Sequence, residues 1–303
     1  KKGYESVNGI LCMNKPSGFT SFDVIAKLRG ILKIRRLGHS GTLDPMATGV
    51  LPVFVGTATK ACDILPDNSK SYLAGFKFGV STDTQDITGN VINQYQKTVS
   101  YQDITDILPK FSGDILQTPP MYSAVQINGK RLYDLARQGI EVERPQREIH
   151  IDSIELESFD ENTQSGTLSV MCSKGTYIRT IINDIGDLLG CGGIMTSLVR
   201  TSASGFSLDD CFDFEQVENA VKNQSIENLL IPIDKAFVKY PALNLGEHQT
   251  RLYKNGVKLD LERIRNILPD NDIYRIYGYD SRFIGLAVAE HDNNILKVYK
   301  NLV

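Results

Sequence analysis

The sequence predicts an α+β protein with two domains of unequal size. Strand-like and helix-like segments follow one another without the regular strand–helix–strand alternation of a parallel α/β sheet. Beyond Pro232 and Pro241 the pattern changes to short strands separated by turns, which is typical of a small β-rich domain. Of the 303 residues 41% are apolar, which is enough for a large core. We therefore expect a main domain over residues 1–240 and a small β-rich domain over residues 241–303.

The first helix is predicted to begin after Thr20. Thr20 and Asp23 have the spacing of a capping box, in which each side chain bonds to the backbone N–H of the other residue. Apolar residues then recur at helical spacing and predict one buried stripe. Further on, "VLPVFVGTATKACDIL" predicts a buried strand followed by a helix. The residues of the helical stripe are Val24, Ile25, Leu28, Ile31 and Leu32.

A projecting arm is predicted from about residue 119 to residue 149. This segment contains two adjacent prolines, an Asn-Gly turn and a short helix from about Lys130 to Gln138 that is capped by Gly139. Such a mixture is not typical of a core element. The preceding "YQDITDILPKFSG" predicts a short helix that is stopped by Pro109.

A strand and a helix are predicted in "GTLSVMCSKGTYIRTIINDIGDLLG". Leu168, Val170 and Cys172 alternate as in a strand, and a helical stripe of isoleucine and leucine follows until Gly190. The junction between the two elements presents polar residues that can face a ligand. They are Lys174, Tyr177 and Arg179.

The composition argues against a metal centre, a disulfide framework and a membrane protein. The five cysteines are scattered and never spaced as C-x-x-C, and the four histidines are equally dispersed. No apolar run approaches the about 18 residues of a membrane span, and the first residues lack the apolar stretch of a signal peptide. We therefore expect a cytoplasmic protein without a bound metal.

Basic residues are concentrated in two segments, although the net charge is −3. No acidic residue interrupts the first segment, from Val24 to Leu43, whereas acidic residues dilute the second one in the predicted arm. Such a stripe is either a contact surface for phosphates or a solvated helix face. The basic residues that we single out are Lys27, Lys33, Arg35, Arg36, Lys130 and Arg131.

Asp44 stands in a stretch rich in turn-forming residues, "RLGHSGTLDPMATGVL". An aspartate in such a loop can cap a turn before Pro45, or it can act as a base, a metal ligand or a nucleophile. An aspartyl-phosphate enzyme would need a second acidic residue nearby for magnesium. It would also need a glycine-rich phosphate loop with a lysine, which the sequence lacks.

The longer stretch "GHSGTLDPMATGVLPVFVGTATK" resembles the active-site motif of the TruB family of tRNA pseudouridine synthases. The resemblance continues in "NKPSGFTS", "KSY", "STDTQDITG", "TPPMYSAVQINGKRLYDLAR" and "SKGTYIRTIINDIGDLLG". These motifs occur in the order of the family between Leu11 and Arg200. The C-terminal segment resembles the PUA domain of the family through "KNG" and "FIGLAVAEHDNNILKVY".

The resemblance implies both a fold and a reaction. The fold would be a mixed-sheet catalytic domain with an RNA-binding insertion arm and a small PUA-like domain at the C-terminal end. The reaction would be the isomerisation of uridine to pseudouridine at position 55 in the T-loop of tRNA. Since no redox change occurs and no group is imported, no cofactor is expected. The basic stripe and the arm would then bind the RNA.

The resemblance also assigns roles to individual residues. Asp44 would be the nucleophile, Arg179 would keep it ionised, and Asp86 would hold Arg179 from the other side. Tyr72 would stack on the target base and assist the final deprotonation at C5. The remaining residues would line the pocket of the extruded base. They are His39, Tyr177 and Leu198.

The expected partner is the T-arm stem-loop of tRNA, bound by a monomer. An accessory role in tRNA folding is also compatible with the resemblance. Two alternatives remain at this point, namely an RNA-binding module in which catalysis is secondary and a synthase directed by a guide RNA. The arm sequence "MYSAVQINGKRLYDLAR" favours the stand-alone bacterial type.

Overall fold

The computed structural model describes residues 7–127, 129–268 and 272–302. The ends of the two predicted domains, residues 1–6 and 303, lie outside this range, as does Asn128 in the predicted Asn-Gly turn of the arm. In the part of the chain that is described, no helix is long and apolar enough to cross a membrane.

Six α-helices are present in the described residues. They are α1 (Ser21–Leu32), α2 (Tyr101–Ile107), α3 (Leu132–Arg137), α4 (Ile178–Leu189), α5 (Phe214–Lys222) and α6 (Glu247–Lys254). Short 3-10 helices occupy Gly56–Ala61, Leu108–Phe111, Leu208–Asp210, Ile226–Leu229, Ile233–Phe237, Leu261–Arg263 and His291–Asn293.

Most strands belong to one of two larger sheets. In chain order they are β1 (Gly9–Lys15), β2 (Leu37–His39), β3 (Thr48–Val55), β4 (Lys70–Phe78), β5 (Val80–Thr82), β6 (Val91–Gln94), β7 (Gly113–Gln117), β8 (Gln126–Ile127), β9 (Lys130–Arg131), β10 (Arg147–Asp160), β11 (Ser165–Cys172), β12 (Gly193–Ala203), β13 (Phe206–Ser207), β14 (Ala242–Asn244), β15 (Leu259–Asp260), β16 (Ile273–Tyr277), β17 (Phe283–Glu290) and β18 (Ile295–Asn301).

The larger sheet has nine strands among the described residues, in the order β1-β3-β12-β4-β11-β10-β7, with β2 paired to β3 and β13 to β12. Most neighbours are antiparallel, but β12 runs parallel to β3 where the two strands meet, so the sheet is mixed. Helix α4 packs on this sheet, and its apolar stripe lies in the same core as the inner residues of β4 and β11. The predicted α+β class is confirmed.

Helix α1 begins as its sequence predicts. Thr20 is the N-cap, and the capping box with Asp23 is formed in both directions. Most of the apolar stripe is buried in a core with β1 and β3, whereas Ile31 is only partly buried. The cap and the buried stripe together fix this helix beside the loop that carries Asp44.

Two predicted helices differ from the sequence-based expectation. The segment after β3 is a 3-10 helix over Gly56–Ala61. In the arm, Lys130 and Arg131 form strand β9 and pair with β8, so that α3 starts only at Leu132. The helix at residues 101–107 continues as a 3-10 helix that includes Pro109, which is tolerated in a first turn.

The arm connects two neighbouring strands of the larger sheet, β7 and β10. Since β7 ends at Gln117 and β10 begins at Arg147, the connection covers residues 118–146. The last residues of the predicted arm, from Arg147 to Ile149, pair with β7 and therefore belong to the sheet.

The second sheet has five strands among the described residues, in the order β14-β16-β17-β18-β15. Leu286 and Leu302 from this part of the chain lie in the same apolar cluster as Phe54 and Phe237. In addition, the Tyr277 hydroxyl donates to the Asp234 carboxylate at 2.7 Å. The two sheets are therefore joined by a packed interface.

Strands β3 and β12 approach each other closely at Gly49. Gly49 has a φ of +101°, and a Cβ atom at this position would lie 2.2 Å from the backbone oxygen of Arg200. Only glycine allows both the backbone conformation and the approach. This contact fixes the strand that follows Asp44 against β12.

We expect Gly49→Ala to lower the free energy of unfolding by about 3 kcal/mol, because it adds backbone strain to a steric clash. Gly113→Ala is the matched control, since Gly113 has a φ of +81° but open space around its Cβ position. The control should lose only about 1 kcal/mol. Urea denaturation measures both, and equal losses would contradict the proposed clash.

Candidate active site

Asp44, Arg179 and Asp86 form a chain of two ion pairs. Nη2 of Arg179 lies 3.4 Å from Oδ2 of Asp44, and Nη1 lies 3.6 Å from Oδ2 of Asp86. Asp44 is on the loop between β2 and β3, Arg179 is in the first turn of α4, and Asp86 is in the turn after β5. The guanidinium group thus lies between the carboxylates, and its flat fork favours this double contact.

The Asp86 carboxylate is held by its own turn. Its Oδ1 atom accepts hydrogen bonds from the Thr84 hydroxyl at 2.8 Å, the Thr88 N–H at 2.9 Å and the Thr88 hydroxyl at 2.6 Å. The turn is tied to β12, because the N–H of Ile87 donates to the carbonyl of Met195. The other oxygen of Asp86 therefore faces Arg179 in a fixed orientation.

Asp44 is the member of this group that solvent reaches. Its side chain is 35% exposed, whereas those of Arg179 and Asp86 are 6% and 5% exposed. Burial raises the pKa of Asp44 above its usual value, the Arg179 guanidinium lowers it, and the Asp86 charge raises it again. Arg179 thus opposes the protonation that the surroundings would otherwise favour.

Two buried cations hold the loop that carries Asp44. The Lys15 ammonium group is fully buried and donates to the carbonyls of Pro16, Phe19 and Pro45. Arg200 is also fully buried, and it donates to the carbonyls of Gly41 at 3.1 Å, Thr42 at 3.5 Å and Val50 at 2.7 Å. The backbone on both sides of Asp44 is therefore fixed.

Sequence reasoning gave Arg200 no role. The sequence nevertheless contained an indication of a structural role. Arg200 is a charged residue within strand β12, "GIMTSLVRTSA", at a position where the side chain faces inward. A charged residue that is fully buried in a strand needs several polar partners, and here backbone carbonyls supply them.

Tyr72 and Leu198 lie in the apolar wall beside Asp44. Each is 7% exposed, and both belong to the core cluster that includes Leu43 and Ala47. Burial raises the pKa of the Tyr72 hydroxyl, and the nearby Arg200 guanidinium opposes that rise. The structure thus places Tyr72 and Leu198 in one apolar cluster with the residues on either side of Asp44.

Tyr177 and His39 are partly buried at the same site. Tyr177 is the N-cap residue of α4, and its ring centroid lies 5.9 Å from the Arg179 guanidinium carbon. Gln117 fixes its backbone, since the Gln117 side chain accepts from the Tyr177 N–H at 2.8 Å and donates to the carbonyl at 3.0 Å. Burial and the Arg200 charge lower the pKa of His39, which favours its neutral form.

The arm contacts Arg179 directly. Nη2 of Arg179, which faces Asp44, also donates to the backbone carbonyl of Tyr122 at 2.6 Å. This contact could not be predicted from the sequence. It means that the position of the arm and the orientation of Arg179 depend on each other.

The basic residues that we singled out all have exposed side chains. Some of them also contact neighbouring side chains. The Lys27 ammonium lies 4.1 Å from the ring centroid of Phe214, and Nε of Arg36 donates to the Thr59 hydroxyl at 2.7 Å. Their charges nevertheless face solvent.

Among the described residues, no group of three or more His, Cys, Asp or Glu side chains could hold a metal ion.

Comparison with known proteins gives the class of the chain. Residues 29–178 match the model of the "TruB family pseudouridylate synthase (N terminal domain)", and residues 179–238 match that of the "tRNA pseudouridylate synthase B C-terminal domain". Neither match extends into the five-stranded sheet, which begins at Ala242.

Individual relatives agree with this class over nearly the full chain. The proteins named "tRNA pseudouridine synthase B" from Clostridium kluyveri and Clostridium acetobutylicum are each 42% identical to it. The alignments cover 93% and 96% of this chain, and 96% and 99% of the two relatives. The chain therefore belongs to the TruB family of pseudouridylate synthases.

A solved structure shares the fold at lower identity. In the "Crystal Structure of a Cbf5-Nop10-Gar1 Complex" a chain with 23% identity aligns with a TM-score of 0.74, covering 97% of this chain and 85% of that one. The alignment includes both sheets, so the arrangement of the two is shared with that structure.

We expect Arg179→Lys to lower the single-turnover rate of the family reaction about a hundredfold, with RNA affinity changed less than threefold. Lysine keeps the charge but cannot contact Asp44 and Asp86 with a rigid fork. Rapid-quench kinetics and filter binding measure the two quantities. A rate within threefold of the parent would show that this geometry is unimportant.

Proposed function

We propose that this protein isomerises uridine to pseudouridine in tRNA, at position 55 in the T-loop. The observation that carries the proposal is the solvent-facing carboxylate of Asp44 held by the buried Arg179, in a chain of the TruB family. The named relatives support tRNA as the substrate.

The reaction requires a group that can add to the substrate and leave again. The N1–C1′ bond of uridine breaks, the base rotates, and C5 becomes bonded to C1′, while C5 loses a proton and N1 gains one. Asp44 is the nucleophile in this proposal, with attack at C1′ or at C6 both compatible with its position. Since no redox change occurs and no group is imported, the reaction needs no cofactor.

The neighbouring residues prepare Asp44 and the base. Arg179 keeps Asp44 ionised, and Asp86 keeps Arg179 in place. Tyr72 stacks on the base and assists the loss of the C5 proton. The uridine must leave the stack of the T-loop before its glycosidic bond can be reached, and a pocket lined by His39 and Leu198 would receive it.

The exposed basic residues would bind the RNA backbone. In this proposal Lys27, Lys33, Arg35 and Arg36 contact phosphates of the T-arm, and Lys130 and Arg131 do so from the arm. The five-stranded sheet is a PUA-like RNA-binding domain over residues 241–303, beside a catalytic domain over residues 1–240. The protein acts as a monomer in the cytoplasm.

The proposed activity is tested with purified protein and two unmodified RNAs, a whole tRNA transcript and an isolated T-arm stem-loop. Pseudouridine should form at position 55 in both, because the proposed contacts lie within the T-arm. The same RNAs with cytidine at position 55 are the control and should stay unmodified. Modification at another uridine would contradict the proposed site. Modification of the whole tRNA but not of the stem-loop would contradict the proposed recognition of the T-arm.

We expect Asp44→Asn to abolish pseudouridine formation while RNA affinity stays within threefold of the parent. The amide has the same shape but lacks the charge of a nucleophile. Asp106→Asn, at an exposed position of α2, is the matched control and should remain active. Turnover by Asp44→Asn within tenfold of the parent would contradict the nucleophile role.

A further inference from the structure

Lys70 lies on the same strand as Tyr72, and it has no role in the reaction proposed above. Two residues along a strand point to the same face and are separated by about 6.6 Å. Lys70 and Tyr72 pair with neighbouring residues of β11, so both belong to the regular part of the sheet. The side chain of Lys70 therefore projects beside that of Tyr72, at the first residue of β4.

The Lys70 ammonium group reaches the loop that carries Asp44. A Cβ atom on Gly41 would lie 3.0 Å from Nζ of Lys70 and 3.5 Å from Nη1 of Arg200. The missing side chain of Gly41 thus leaves room for two cationic groups next to each other. Lys70 is half-buried as a residue, whereas Arg200 is fully buried, so part of Lys70 stays accessible to solvent.

Among the described residues, the Lys70 ammonium group forms no hydrogen bond or ion pair with an acidic side chain. Burial lowers the pKa of Lys70 to about 8, Arg200 and Lys174 contribute in the same direction, and the Cys172 thiol opposes them. Arg200 differs from it, because backbone carbonyls bond to its guanidinium group.

Lys70 also stands apart from the ion pairs of the active site. The charges that act on Asp44 are those of Arg179, Asp86 and Lys15. A half-buried cation without a partner is unfavourable for folding, and an anion from outside would remove this cost. In the described part of the chain, Lys70 and Arg200 meet beside Gly41 without an acidic side chain between them, and such a site selects a negatively charged ligand.

We propose that Lys70 binds one backbone phosphate of the RNA substrate, adjacent to the uridine that undergoes reaction. This inference rests on the proposed function, because it takes the base on Tyr72 as its reference point. The phosphates of a nucleotide lie close to its own base, so a base stacked on Tyr72 can bring one of them within reach of Lys70, two residues away on β4. Lys70 thereby fixes the flipped nucleotide by its backbone, whereas Tyr72 contacts its base.

The test uses Lys70→Met, which keeps the length of the side chain and removes its charge. Lys70→Arg keeps the charge, and Lys77→Met is the matched control because Lys77 lies exposed on the opposite face of the same strand. Each protein is combined with T-arm stem-loops that carry one neutral methylphosphonate at a time on either side of the target uridine.

One methylphosphonate position should weaken binding by the parent about tenfold, as expected for a lost contact to a charged group. Lys70→Met should bind unmodified RNA about tenfold more weakly than the parent does. A methylphosphonate at the sensitive position should not weaken its binding further. Its salt dependence should become shallower by about 0.7 in log–log slope, as expected for one phosphate on a single strand. Lys77→Met should behave like the parent, and Lys70→Arg should remain sensitive to the same phosphate.

The melting temperature separates a binding role from a structural one. Lys70→Met should melt at or above the parental temperature, since an unpaired half-buried charge has been removed. A lower melting temperature together with an equal loss on every RNA would overturn the proposal. Parental affinity and rate of Lys70→Met on all RNAs would also overturn it. The parent's own activity is measured alongside, and its absence would contradict the proposed function instead.

Discussion

The burial of one positive charge governs the arrangement of the active site. The Arg179 side chain is 6% exposed, and such a charge is tolerated only where anionic and polar groups surround it. Asp86 supplies a buried carboxylate, Tyr122 a carbonyl, and Asp44 a carboxylate that still faces solvent. The same contacts that make Arg179 acceptable in the interior therefore orient Asp44 and oppose its protonation.

The fold supplies the positions that this interaction needs. Asp44, Asp86 and Arg179 come from three distant parts of the chain, and the mixed sheet brings them together. Two further buried cations, Lys15 and Arg200, bind the backbone carbonyls on either side of Asp44. A carboxylate on an unsupported loop would lose its orientation to thermal motion, and a displacement of about 1 Å can lower a rate a hundredfold. The loop is rigid because its carbonyls are bonded.

Local sequence patterns were enough to predict the main helices and strands. They were not enough to predict contacts between elements that are distant in the sequence. The capping box follows from the spacing of Thr20 and Asp23, and the apolar stripe of α4 follows from helical periodicity. The structure confirms both. The 3-10 helix at Gly56–Ala61 has too few residues for a helical pattern to be distinguished. The residues grouped by the family motifs do meet in space, although their catalytic roles stay predictions. The buried role of Arg200 and the contact of Tyr122 with Arg179 depend on long-range packing, which one sequence does not display.

The most direct test of the account is the pH dependence of the single-turnover rate for the parent, Arg179→Gln and Arg179→Lys. In the proposed reaction Asp44 acts in its ionised form, so the rate should fall as the pH decreases through its pKa, which the Arg179 charge lowers. Without that charge the pKa rises, and the acid limb of Arg179→Gln should move to higher pH. Arg179→Lys, which keeps a charge, should stay nearer to the parent. An acid limb at the parental pH in Arg179→Gln, with only a lower maximal rate, would contradict the claim that Arg179 keeps Asp44 ionised.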